Sequence, residues 1–127
     1  MNIAILDDSK EDLRQVKSVI SSYYESQNTS ADIHLYSSAE AFFTKYIPGF
    51  YDLIIMDIYM GSMTGMDAAR KLREARDTAA LIFISSSDSF TGVRSEISSI
   101  YLEFCDCLNW IVERIRQSSA KPGIQLL

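Results

Sequence analysis

The chain has 127 residues, of which 47% are hydrophobic and 23% charged, with a formal charge of −5; that suits one domain with a real core and is too short for two. Five Gly and two Pro exclude a disordered or collagen-like chain, the negative balance argues against direct binding of nucleic-acid phosphates, and no apolar run approaches the roughly 18–20 residues of a membrane span. The start, Met1-Asn2-Ile3-Ala4-Ile5-Leu6-Asp7-Asp8, has no basic n-region, and Cys105 and Cys107 are too few and too close for a disulfide framework, so a cytoplasmic single domain over 1–127 is expected.

In chain order, Ile3-Ala4-Ile5-Leu6 is an apolar run ending in two Asp, the pattern of a strand buried on both faces. Ser9 caps a following helix with Glu11 and Asp12 in its first turn, and Leu13, Val16, Ile20 and Tyr23 form its inner face. Ile33 and Leu35 alternate with His34 and Tyr36 as a second strand. Ser38 caps a second helix through Ala41, Phe42 and Lys45, stopped by Pro48-Gly49. Leu53-Ile54-Ile55-Met56, ending in Asp57, repeats the layout of the first strand. A loop from Gly61 to Gly65 leads into a helix with Met66, Ala69 and Leu72 inward and Arg70, Lys71 and Arg73 outward. Ala80-Leu81-Ile82-Phe83-Ile84 is a fourth strand ending in Ser85-Ser86-Ser87-Asp88. This rhythm predicts a parallel sheet covered on both faces; the fold expected is a doubly wound α/β domain of flavodoxin-like type, taken in the order 2-1-3-4.

The last third admits two readings. Ile97, Tyr101, Phe104, Leu108, Ile111 and Ile115 are spaced as a heptad seam over 19 residues. One helix over 95–117 would be about 35 Å long and would replace a fifth strand. The other reading takes Ile100-Tyr101-Leu102-Glu103-Phe104 as that strand, with a final helix from about Asp106. The longer periodic signal favours the helix.

In open parallel sheets, ligands bind beyond the carboxyl ends of the strands, where the strand order reverses. Asp7 and Asp8 end the first strand, Asp57 the third and Ser85 the fourth. With strands one and three adjacent, the three carboxylates converge, which like charge disfavours unless a cation is present. Oxygen ligands with room for water suit Mg²⁺. Such an ion can screen a phosphoryl group while a carboxylate attacks it. Asp57 is the best placed nucleophile, with Asp8, and Asp7 through water, holding the metal. A single Asp after a strand is usually a turn or cap residue; two acidic strand ends and a hydroxyl at a third are much harder to assign to capping alone.

These residues resemble the receiver domain of two-component response regulators. The resemblance is carried by Ile5-Leu6-Asp7-Asp8-Ser9, by Ile54-Ile55-Met56-Asp57-Ile58-Tyr59-Met60, by Gly65 and by Phe83-Ile84-Ser85-Ser86-Ser87-Asp88, and covers residues 1–94. The last stretch is similar to receivers that precede a LytTR-type DNA-binding domain. The resemblance implies Asp57 as phosphoacceptor from a sensor histidine kinase and Asp8, with Asp7 beside it, as the Mg²⁺ site. It further implies the Tyr59 backbone carbonyl as a metal ligand and Ser85 as the switch hydroxyl. It implies no enzyme beyond Mg²⁺-dependent self-phosphorylation and self-dephosphorylation. An output domain, absent from these residues, or a separate effector would receive the signal.

Two departures stand out. Where the family has Met-Pro after the acceptor strand, Met60 is followed by Gly61, which predicts a looser loop. Where the family ends its fifth strand in Lys-Pro, this chain has Cys105 or Phe104, and the next Lys is Lys121. Tyr101 matches the aromatic switch only if 101–104 is a strand. A hydrogen bond to a charged group is worth about 1.5–3 kcal/mol, against about 5.5 kcal/mol to drive a switch from 1:99 to 99:1. Loss of the Lys therefore predicts phosphorylation with weakened conformational coupling. The alternative is a degenerate receiver acting as a phosphorylation-independent module, a homodimer through Ile97, Tyr101, Phe104, Leu108, Ile111 and Ile115.

Other signals carry less. Ser62-Met63-Thr64-Gly65 follows the wrong strand for a flavodoxin phosphate loop, and Tyr59 stands where a dehalogenase-type phosphatase needs its second acid. His34 reads as an exposed strand residue, Cys105-x-Cys107 as ordinary thiols, and Arg70-Lys71-Arg73-Arg76 as a solvated helix face.

Overall fold

The computed structural model describes residues 1–85 and 123–126, with side chains through Ile84. The elements run β1 (Asn2–Leu6), α1 (Lys10–Ser26), β2 (Asp32–Tyr36), α2 (Ala39–Thr44), β3 (Leu53–Asp57), α3 (Gly65–Glu74), β4 (Ala80–Ser85) and β5 (Gly123–Leu126). They form one sheet in the order β2-β1-β3-β4-β5. The first four strands are parallel, as the alternation of apolar runs and amphipathic helices predicts.

Burial explains the composition of each strand. β1, β3 and β4 are central and lie between two apolar layers, so their residues are hydrophobic on both faces. One layer packs Leu13, Val16, Ile20 and Tyr24 of α1 against Ile3, Ile5, Leu53, Ile55, Ile82 and Ile84. The other packs α2 and α3, through Phe42, Ala68, Ala69 and Leu72, against Ala4, Leu6, Ile54, Met56, Leu81 and Phe83. β2 is an edge strand: none of its residues is fully buried, and Leu35, which the alternation paired with Ile33, is exposed.

Helix starts follow their caps. The Ser9 side chain accepts from the Asp12 amide, and Ser38 does the same for Ala41. Thr64 and Asp67 form a reciprocal capping box at the start of α3. Tyr24, not Tyr23, completes the buried face of α1; Tyr23 stands edge-on to it. α2 is only six residues long. The chain then turns through Gly49, whose φ of 82° is the left-handed conformation that glycine adopts without strain.

The fifth strand among the described residues is one that neither sequence reading named. It comes from Gly123–Leu126 and lies antiparallel on β4, with Ser85 opposite Gly123 and Ile82 opposite Leu126. Four residues are too few for a periodic signal, which is why the sequence analysis assigns the segment no element. An antiparallel neighbour also needs no crossover helix, so the βα rhythm does not announce it. Residues 95–117, with the proposed seam and the alternative strand at 100–104, lie outside the described residues, as do Cys105, Cys107 and Trp110.

Two sequence assignments change. Arg73 is not simply solvated: its guanidinium donates to the carbonyls of Asp77 and Ala79, closing the turn between α3 and β4. His34 is half-buried rather than exposed, edge-on to Phe50 and Tyr51.

Candidate functional site

The register of β1 and β3 brings the acids together. Leu6 pairs with Met56, so Asp7 and Asp57 leave adjacent parallel strands at the same level. Carboxylate oxygens of Asp7, Asp8 and Asp57 lie within 4.8 Å of one another. Asp7 is fully buried and Asp57 is 6% exposed, whereas Asp8 faces solvent. Two unit charges at that spacing repel by about 3.5 kcal/mol at an effective dielectric of 20.

Backbone amides offset part of this repulsion. The Ser9 amide donates to Asp7 Oδ1 at 2.9 Å, and the Tyr59 amide donates to Asp57 Oδ1 at 3.3 Å. What remains is a set of hard oxygen donors, two enclosed and one open to water. Such a set fits a small divalent cation that retains part of its hydration shell. Sequence reasoning placed all three carboxylates correctly.

The loop after β3 is anchored along its length. The Ile58 amide donates to the Ile84 carbonyl, and the Gly65 amide donates to the Ile58 carbonyl. Gly65 is required by contact: a Cβ there would sit 2.4 Å from the Asp57 carbonyl oxygen. Gly61 has a φ of 50°, a conformation closed to proline, whose ring holds φ near −65°. The departure from Met-Pro therefore gives a different loop path. Glu40 of α2 accepts from both the Ser62 hydroxyl and the Met63 amide, ties that work against the looseness expected there. Sequence reasoning passed over Glu40, which as an acid in the first turn of a helix looks like an ordinary complement to the dipole.

Tyr59 lies in this loop with its side chain exposed. Ser85 ends β4 one position past Ile84, the residue opposite Asp57. The described part of Ser85 is its backbone, which places it at the acidic end of the sheet.

A comparison with known families gives the same answer as this geometry. The response regulator receiver domain matches residues 3–98. The chain belongs to that family. Among curated relatives, Response regulator ArlR of Staphylococcus aureus is 35% identical over 49 residues, 39% of this chain and 22% of that protein. The match thus spans about a fifth of the relative's length. Among solved structures, a two-component response regulator from Clostridium difficile superposes with a TM-score of 0.63 at 19% identity, covering 91% of this chain and 98% of that one. A response regulator receiver domain protein from Clostridium thermocellum gives 0.60 at 17% identity over 91% and 94%. The Vibrio cholerae chemotaxis protein CheY4 gives 0.62 at 14% over 93% and 98%. At these identities the superpositions establish the fold. Among the described residues of this receiver domain, no helix is long and apolar enough to cross a membrane. The dimer alternative rests on residues 97–115, outside the described residues.

Proposed function

We propose that this receiver domain accepts a phosphoryl group on Asp57 from a phosphohistidine of a sensor kinase and passes the change to an output domain or partner protein. The convergence of Asp7, Asp8 and Asp57 within 4.8 Å carries this reading. Asp7, Asp8, Asp57 and the Tyr59 backbone carbonyl would hold Mg²⁺. The ion supplies charge neutralisation for the incoming phosphoryl oxygens.

In the transfer itself, a carboxylate oxygen of Asp57 attacks phosphorus. The new P–O bond forms as the P–N bond to the kinase imidazole breaks, and the imidazole leaves as the neutral ring after taking up a proton. The buried setting of Asp57 limits competing attack by water. The hydroxyl of Ser85 is suited to bond a phosphoryl oxygen once it is in place. The reaction consumes no separate substrate beyond the phosphodonor; hydrolysis of the acyl phosphate resets the domain.

Incubation with acetyl phosphate and Mg²⁺, read by intact mass, tests this reading. One phosphoryl adduct is expected, lost with EDTA and abolished by Asp57→Asn. A metal-independent adduct, or one that survives Asp57→Asn, would overturn it.

A further inference from the structure

We infer that Glu40 is a positioning residue for the acceptor site, holding the loop between β3 and α3 in the path that presents Tyr59 beside Asp57. The inference rests on the phosphoacceptor reading and deepens it.

Three observations carry it. One carboxylate oxygen of Glu40 accepts the Ser62 hydroxyl at 2.5 Å and the Met63 amide at 3.1 Å, across 22 and 23 residues of sequence. Gly61, immediately before Ser62, is left-handed, with nothing near the position of a Cβ. Packing holds its neighbours, Met60 buried in the core and Met63 against it, and the other polar ties lie at the ends of the loop: the Tyr59 amide on Asp57 and the Ile58 backbone bonds at the start, and the capping box and Gly65 contact at the close. Glu40 thus supplies the side-chain hydrogen bonds in the middle. Its bonds with Ser62, the largest effect, and with Met63 hold its carboxyl below the usual carboxylate range. Because Glu40 belongs to α2, the helix and the acceptor loop are linked by a single side chain.

The test combines two readouts on the full chain. Amide hydrogen exchange without metal should rise over Gly61–Thr64 in Glu40→Ala and in Ser62→Ala, with β3 and α3 unchanged. Mg²⁺ affinity by calorimetry should weaken about three- to tenfold in Glu40→Ala, as expected for loss of a charge-assisted bond near the surface. Glu40→Gln keeps an acceptor oxygen for both donors and should restore both readouts to within about twofold. Unchanged exchange in Glu40→Ala would overturn the latch. Raised exchange with unaltered Mg²⁺ affinity and phosphorylation rate would overturn its positioning role. A wild-type chain that neither binds Mg²⁺ nor accepts phosphate would overturn the phosphoacceptor reading and the positioning role with it, while exchange would still register the latch.

Discussion

Asp77 and Gly65 show how single residues set the limits of this domain. Asp77 is buried at the turn between α3 and β4, where its carboxylate accepts from the Tyr46 hydroxyl and from the Gly49 and Ala79 amides. Removing it strands these donors, so Asp77→Ala is expected to cost about 2–3 kcal/mol in urea unfolding. Gly65 acts through shape. Any Cβ there meets the Asp57 carbonyl, so Gly65→Ala must push α3 away from the acceptor strand. A loss of about 1–3 kcal/mol is expected, together with slower phosphorylation by acetyl phosphate. In the sequence, Gly65 shows only as the end of a loop and a residue that the family resemblance rests on, and Asp77 carries no signal. The contacts that define Asp77 come from Tyr46 and Gly49, far back in the chain.

At the scale of elements, legibility followed burial. β1, β3 and β4 are each clamped between two apolar layers, so their runs stand out without any partner information. The capping serines and Thr64 likewise announce their helices locally. β5 had no such signature, because an edge strand of four residues draws its order from pairing with β4. It begins at Gly123 opposite Ser85, at the acidic end of the sheet, and runs antiparallel to β4.

The molecule as a whole is expected to be most stable over a plateau bounded on both sides by identifiable groups. Glu40 and Asp67 are held below their ordinary values of 4.5 and 3.8, chiefly by the hydrogen bond with Ser62 and by that with the Thr64 backbone respectively. Their contribution is complete above those values and lost as pH falls through the lower folded ones. Burial, followed by the bond to Asp77, pushes the Tyr46 hydroxyl above its ordinary 10.0. Its contribution is complete below that value and lost as pH rises toward the folded one. Burial, followed by the bond with Tyr36, pushes Tyr51 up in the same way. Thermal unfolding across pH should show both limbs; Tyr46→Phe should make the alkaline one shallower, Tyr51 keeping the rest, and leave the acidic one in place. The meeting of Asp7 and Asp57 was readable once strands one and three were taken as neighbours, an order that the βα rhythm permits without dictating. The ties from Glu40 to Ser62 and from Asp77 to Tyr46 were not, since each joins segments far apart in the chain; that from Arg73 is local but ends on backbone carbonyls, which carry no sequence signal.

The clasp of Tyr46, Gly49, Arg73 and Asp77 closes the turns that enter β3 and β4, while the acids occupy the turns that leave β1 and β3. The stabilising clasp and the acids are thus housed at opposite rims. Loss of Asp77 should lower the melting point of the domain yet leave phosphorylation intact, whereas Asp57→Asn should abolish phosphorylation and, by removing one of the repelling carboxylates, leave the melting point no lower. Asp57→Asn and Asp77→Ala combined should give the sum of their separate effects on unfolding, to within about 0.5 kcal/mol. A lineage could therefore retire the phosphate reaction and keep a sound scaffold, or harden the scaffold without retuning the reaction.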